Sequence, residues 1–387
     1  MSLPCAFFHA EGDVIKVIEA MNIFSQERSY DKKKWTSING TDLSNIHKHK
    51  PLVSILTLVY NHSAFIEQTI DSVLNQTLQN WEWIILDDGS TDGTGEMIRN
   101  IKDSRIHYSL QEHTGFDHLT RTYNKALAMC SGDFIALLDG DDYWPEYKLG
   151  IQVKSFDDPD TVLSYGECLV INQNGKKIHY ACLPEDLSVA HNNPIGSALK
   201  KLLVDKFCFM VHPTVMVRKS TLLTVGGFIE AGGIGEDFPT WLRLSLEGKF
   251  LAIPRCLGYY RKHPFSVTAT QNPIVYFDNE INFLRDFIVR NNQKLENLGF
   301  SFDMNELEKH WVDIRMFNNA MFMLKLGSHK NAQSEFGKFL ERNSSIKSKI
   351  IYVLIILSAL FKINLVNPAT YINWKLQMFM KTLFAPK

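Results

Sequence analysis

Phe134-Ile-Ala-Leu-Leu-Asp-Gly-Asp-Asp-Tyr-Trp-Pro145 is the stretch on which the reading of this chain turns. Its first five residues are apolar without a break, as suits a strand buried on both faces. The chain then turns around Gly140, bringing Asp139, Asp141 and Asp142 to the strand's C-terminal end. Three carboxylates so close repel one another unless positive charge sits among them, and hard oxygen ligands favour a divalent ion such as Mg or Mn over zinc. The competing reading is an acidic surface turn, which many Asp-Gly pairs are.

Working outward, Val53 to Val59 and Trp81 to Leu86 read as further strands. Ser63 reads as the N-cap of a helix carrying Ile66, Ile70, Val73 and Leu74 on one face. A helix from about Thr94 to Ile101, a short strand at Ile106 to Ser109 and an amphipathic helix at Leu119 to Met129 follow. Such alternation predicts an α/β fold with a mixed, mostly parallel sheet and helices on both faces. Three polar clusters, Thr57 to Asn61, Asp87 to Asp92 and Asp139 to Asp142, then fall at carboxyl ends of strands in one sheet. Open α/β sheets bind ligands along that rim, where strand order reverses, so a nucleotide site is expected there.

Ser54-Ile-Leu-Thr-Leu-Val-Tyr-Asn61, Ser72-Val-Leu-Asn-Gln76, Trp83-Ile-Ile-Leu-Asp-Asp-Gly-Ser-Thr-Asp92 and Gly132-Asp-Phe-Ile-Ala-Leu-Leu-Asp-Gly-Asp-Asp142 together resemble the catalytic domain of glycosyltransferase family 2, inverting enzymes of Rossmann-like GT-A fold. The resemblance runs from about Leu52 to about Thr268. It implies donor contacts from Thr57, Tyr60 and Asn61, with Tyr60 against the nucleotide base. It also implies that Asp88, with Asp87 beside it, accepts a ring N–H of uracil or guanine. Asp139 and Gly140 would meet the ribose, and Asp139 and Asp141 the metal that bridges the diphosphate. A carboxylate matches the imide N–H of uracil and not the acceptor N3 of cytosine, so a UDP-sugar is the expected donor. The chain departs from the family between Gly115 and Asn124, where Tyr123 stands in the place of the usual arginine. Either Arg121, one turn off, or other groups would meet the pyrophosphate.

Further along, Asp160 to Ile178 reads as strand and hairpin with its turn at Asn172-Gln-Asn-Gly175, and Asn192 to Val204 as a mobile loop over the acceptor. His212-Pro-Thr-Val-Met-Val-Arg218 resembles the family's strand beneath the acceptor pocket, so His212 is expected at the diphosphate or acceptor, or packed before its proline. Gly235-Glu-Asp-Phe-Pro-Thr-Trp-Leu-Arg-Leu244 resembles the family's Glu-Asp motif at a helix start. The resemblance makes Asp237 the general base, with Glu236 orienting it and Trp241 and Asp142 on the acceptor or diphosphate side. Without it, both carboxylates would simply favour the helix N-terminus. Tyr259-Tyr-Arg-Lys-His-Pro-Phe-Ser-Val267 resembles the family's returning Arg-x-His, which places His263 at the metal or diphosphate and gives Arg261 a share in neutralising the leaving group.

The 387 residues suggest more than one unit: an extension at 1–49 with one short amphipathic helix at Val14 to Met21, a catalytic domain at 50–270, a helical domain at 271–343 and a tail at 344–387. Net charge is −1, which gives no reason to expect nucleic acid as a partner. The six cysteines form no Cys-x-x-Cys pair and the N-terminus lacks the pattern of a signal peptide, so a reduced, cytoplasmic setting is expected. From Arg342 to Lys387 there is no Asp or Glu but there are six lysines, and Ile350 to Phe361 is apolar yet too short to span a bilayer. That tail reads as a peripheral anchor on the cytoplasmic face of the membrane. The expected activity is inverting sugar transfer to a hydroxyl of a glycan or lipid-linked glycan in cell-surface polysaccharide synthesis. The alternatives are transfer to a polyprenyl phosphate, or a non-catalytic module that binds nucleotide-sugar or glycan.

Overall fold

A computed structural model describes residues 51–205, 208–231, 235–270, 276–325 and 328–342. The extension at 1–49 and the tail at 344–387 lie outside the described residues. Strand β1 (Val53–Val59) is flanked by β2 (Trp81–Asp87) and β4 (Phe134–Leu137), both parallel to it, and β3 (Ile106–Leu110) runs parallel to β2. The connecting helices are α1 (Ile66–Leu74), α2 (Thr94–Arg99) and α3 (Leu119–Met129). The chain thus winds outward from β1 through β2 to β3 and returns to the other side of β1 at β4. That makes the gap beyond β1 and β4 the switch point of the sheet.

Beyond β4 the sheet turns mixed. Helix α4 (Lys148–Val153) leads to the long β5 (Thr161–Asn172), which forms a hairpin with β6 (Lys177–Ala181). After α5 (Leu187–His191), strand β7 (Met216–Arg218) lies antiparallel to both β4 and β5. Next come α6 (Lys219–Thr224) and α7 (Asp237–Leu244), and then β8 (Lys249–Lys262) runs parallel to β5 along its length and leads into the one-turn α8 (Val267–Thr270).

All seven residues of β1 are buried. Leu56 and Leu58 pack into the core on one face, with Tyr123, Ala126 and Leu127 of α3. Val53, Ile55 and Val59 pack on the other, with Ile66, Ile70 and Val73 of α1. This is the alternation expected of a strand covered on both sides, and each fully buried Leu or Ile stabilises the fold by about 1.5–3 kcal/mol.

Three sequence expectations are corrected. Ser63 does not cap α1: Phe65 precedes the first helical residue, and the Ser63 N–H donates to Asp92 Oδ2 at 2.9 Å. The domain break falls elsewhere than 270. Phe277, Ile281, Leu284 and Phe287 of α9 (Phe277–Arg290), Leu295 of α10 (Asn292–Asn297), and Leu307 and Trp311 of α11 (Met304–Lys325) are buried in the same core as the sheet. One compact unit therefore continues from Pro51 to Arg315. In the second unit Ala320, Ala332 and Phe336 form a cluster of their own, the last two on α12 (His329–Arg342).

The third correction concerns residues 192–204, which are not a mobile loop. Asn192 is fully buried, its amide donates to Ser245 O and Gly248 O, both at 2.8 Å, and its Oδ1 accepts from the N–H groups of Gly196 and Ala198, both at 3.0 Å. Ala198, Leu199, Leu202 and Leu203 follow it into the core. Asn192→Ala would leave those four backbone groups buried without a partner. A loss of about 2–4 kcal/mol is expected, read as a lower urea midpoint, and an unchanged midpoint would contradict this account.

Candidate active site

The acidic turn hangs from the end of β4, pinned to β1 by hydrogen bonds from Leu138 N to Leu56 O (3.1 Å) and from Gly140 N to Leu58 O (3.3 Å). Position 140 must be glycine, because a Cβ there would stand 2.5 Å from His62 Nδ1 and 2.6 Å from Val59 Cγ1. Asp139, Asp141 and Asp142 each present an oxygen within 4.8 Å of the others. The back of the turn is held by Arg261, which is 3% exposed. Its backbone N–H donates to Asp142 Oδ1 (2.7 Å), and its guanidinium to Asp141 O (2.8 Å), Gln173 O (3.3 Å) and Gln68 Oε1 (2.6 Å). Asp142 Oδ2 is buried without a partner. Burial, then the charges of Asp141 and Asp139, push the Asp142 carboxyl well above the ordinary range. Three converging carboxylates, one with an orphaned buried oxygen, fit a hard divalent cation. His263 reaches the same group, its Nε2 lying 2.9 Å from Asp141 Oδ2.

Asp139 faces a second set of groups. The Tyr123 hydroxyl donates to its Oδ1 at 2.6 Å, and His212 Nδ1 lies 3.3 Å from its Oδ2. The opposite nitrogen of that imidazole, Nε2, lies 3.4 Å from Glu236 Oε1. Burial opposes charge on His212, but Asp139 and Glu236 outweigh it and hold the imidazole pKa well above its usual value. Burial likewise opposes the Asp139 carboxylate, yet His212 and the Tyr123 hydroxyl bring its pKa below the usual value. Glu236 is raised, chiefly by burial and further by Asp237, with His212 acting against both. Asp237 is the first residue of α7, and its Oδ1 accepts the Phe238 N–H at 2.6 Å. Its charge reaches the buried Tyr123 hydroxyl, as do those of Asp139 and Glu236. His212 thus joins the acidic turn to Glu236, which directly precedes Asp237 in the chain.

Tyr60, at the end of β1, is 41% exposed and stacks on His113 with ring centroids 3.9 Å apart. Asp88 accepts from Gln111 Nε2 (2.6 Å) and from the N–H groups of Thr114 (3.0 Å) and Gly115 (3.1 Å). Burial raises its pKa, but these bonds offset that and leave it lowered. Asp87 lies deeper, accepting from the Tyr108 hydroxyl (2.7 Å) and Ser90 N (2.8 Å). Asn61, at φ 56°, ties the two rim turns together, with Thr91 N donating to its Oδ1 at 2.8 Å.

Some expected residues are engaged elsewhere. Thr57 is buried and its hydroxyl accepts from Trp83 Nε1 at 2.8 Å, so it braces the sheet. Arg121 pairs with Glu230 at 3.1 Å on an exposed surface. Trp241 is fully buried in the core of α7. The Arg261 guanidinium is taken up by two backbone carbonyls and Gln68, so it orders the turn. Sequence reasoning missed Tyr123 as a partner of Asp139 and His113 as a partner of Tyr60. The tyrosine in the arginine's place was the available signal for the first; nothing marked the second.

The glycosyl transferase family 2 sequence profile matches residues 54–225. TuaG of Bacillus subtilis (strain 168), a glycosyltransferase named for teichuronic acid biosynthesis, is 34% identical over 219 residues, covering 55% of this chain and 79% of its own. WfaP of Escherichia coli, named UDP-Glc:alpha-D-GlcNAc-diphosphoundecaprenol beta-1,3-glucosyltransferase, is 29% identical over 271 residues, covering 70% of this chain and 99% of its own. Among solved structures, S. aureus TarS 1–349 in complex with UDP-GlcNAc shares the fold with a TM-score of 0.52 at 15% identity, over 82% of this chain and 90% of that one.

Proposed function

The chain belongs to glycosyltransferase family 2 and has the GT-A fold, and from that premise we propose that it moves a sugar, with inversion, from a UDP-sugar to a hydroxyl of a lipid-linked glycan. The observation that carries this is the approach of the acidic turn to the Glu236-Asp237 helix start, with His212 lying 3.3 Å from Asp139 and 3.4 Å from Glu236. In the step proposed, the acceptor oxygen attacks the anomeric carbon while Asp237 takes its proton. The bond from that carbon to the diphosphate breaks on the opposite face, and the nucleoside diphosphate leaves with the electron pair. Asp139, Asp141 and Asp142, with His263 beside them, would hold a manganese or magnesium ion, whose charge stabilises the diphosphate as it gains negative charge. Tyr60 offers its ring to the base and Asp88 its carboxylate to the imide N–H.

A hydroxyl acceptor is favoured over a polyprenyl phosphate because a phosphate is already ionised and needs no base, whereas Asp237 stands ready as one. The lipid-linked class rests on likeness to WfaP, whose name includes a diphosphoundecaprenol substrate. Among the described residues no helix is long and apolar enough to cross a membrane. We assign contact with the cytoplasmic face to the basic 344–387 tail on its composition. Removing the residues after Asn343 is expected to release the protein from anionic vesicles, and undiminished co-sedimentation would contradict the assignment.

The donor is tested by thermal shift across a panel of nucleotide sugars with and without Mn²⁺. A UDP-sugar at a hundred times its Kd is expected to raise Tm by about 5 °C, and only with the metal. A shift confined to GDP- or dTDP-sugars would overturn the base assignment.

A further inference from the structure

Four side chains from four separate segments form a continuous line between the two halves of the site. The Tyr123 hydroxyl comes from α3, Asp139 from the end of β4, His212 from the turn before β7, and Glu236 from the residue before α7. The line is buried at both ends and opens to solvent between them: Tyr123 is 2% exposed and Glu236 5%, whereas the Asp139 side chain is 31% exposed. His212 is held in place from several directions. Its carbonyl accepts from Val215 N at 3.0 Å, the carbonyl of Pro213 accepts from Trp144 Nε1 at 2.7 Å, and its ring meets the Tyr123 ring edge-on at 5.6 Å. The imidazole sits between Asp139 and Glu236, one nitrogen toward each at ion-pair distance, with neither in hydrogen-bonding geometry.

We propose that Tyr123 and His212 are positioning residues that lock the donor-side carboxylate Asp139 to the acceptor-side pair Glu236-Asp237, so that the gap between leaving group and base is set by one imidazole. Two carboxylates facing each other across a low-dielectric gap drift apart unless something joins them, and a rigid ring joins them at a constant span. Asp237 follows Glu236 directly in the chain, so a displaced Glu236 carries the helix start and its base away from the acceptor. Misplacement of a reacting group by about 1 Å costs on the order of 100-fold in rate. The inference rests on Asp237 being the base.

The test compares substitutions that each keep one arm of the ring. A glutamine amide nitrogen reaches roughly the place of Nε2 and an asparagine nitrogen that of Nδ1. His212→Gln keeps the contact to Glu236 and is expected to retain kcat within about tenfold, whereas His212→Asn and His212→Ala lose on the order of 100-fold. Turnover is counted per folded enzyme, with the folded fraction taken from near-UV circular dichroism. Tyr123→Phe keeps shape and burial, removes only the hydroxyl bond to Asp139, and is expected to lower kcat about tenfold. It serves as the second variant should the His212 substitutions fail to fold. Equal losses for Gln, Asn and Ala, or wild-type turnover in Tyr123→Phe, would overturn the proposal. Asp237→Asn is measured alongside. If it keeps turnover, the base assignment falls and the inference with it; if it is inactive while the 212 variants turn over like wild type, only the positioning line falls.

Discussion

Asp237→Asn is expected to lower kcat by about 10³-fold while leaving the Kd for the UDP-sugar within twofold of wild type. The substitution keeps the size of the side chain and a carbonyl oxygen able to accept the Phe238 N–H, so that contact is retained. What it removes is the capacity to take a proton from the acceptor hydroxyl. A general base contributes to the transition state and not to donor binding, so the loss belongs in kcat and not in donor affinity. Donor titration by calorimetry and initial rates at saturating donor separate the two. A variant that still turns over at near the wild-type rate would point to an acceptor already ionised, such as a phosphate.

Arg261→Ala is expected to be the most damaging single change to stability, costing about 3–5 kcal/mol by urea denaturation. Its guanidinium holds Asp141 O, Gln173 O and Gln68 Oε1 while lying 4.8 Å from the centre of the Phe65 ring. Removal strands Asp141 O in the interior, frees the more exposed Gln173 O and Gln68 Oε1 to solvent, and deletes the fixed positive charge behind three carboxylates. Arg261→Lys cannot repair this, because an ammonium group does not reproduce the planar fork that meets several acceptors at once. Mn²⁺ affinity is expected to fall together with stability, since the turn that carries Asp139, Asp141 and Asp142 loses its backing. A variant as stable as wild type would show that the turn is held from β1 alone.

The sheet was legible because its signals are local. Strands β1, β2 and β4 are runs of apolar residues buried on both faces, and their polar ends fall on one rim by topology alone. The acid residues were legible for the same reason, since Asp139, Asp141 and Asp142 are neighbours in the chain. The partners of those acids were not. His212 meets Asp139 across more than seventy residues, and no spacing rule connects them. Arg261 looked like a cation awaiting an anion, but its destiny was set by backbone carbonyls that have no signature in sequence. Residues 192–204 misled because Asn192, Asn193 and Pro194 have the composition of a loop; the apolar Ala198, Leu199, Leu202 and Leu203 and the fully bonded Asn192 amide bury it. The break after Arg315 was hidden because the helices on both sides of residue 270 are amphipathic in the same way, and only packing tells which core each one serves.

The crowding at Gly140 sets a rule for anyone re-engineering this protein. A methyl group there collides with His62 and Val59, so a library that randomises the Asp139–Asp142 turn will discard most of its members as misfolded before any has been screened for a new substrate. Diversity belongs instead at Tyr60, which is open to solvent and whose replacement disturbs no buried neighbour.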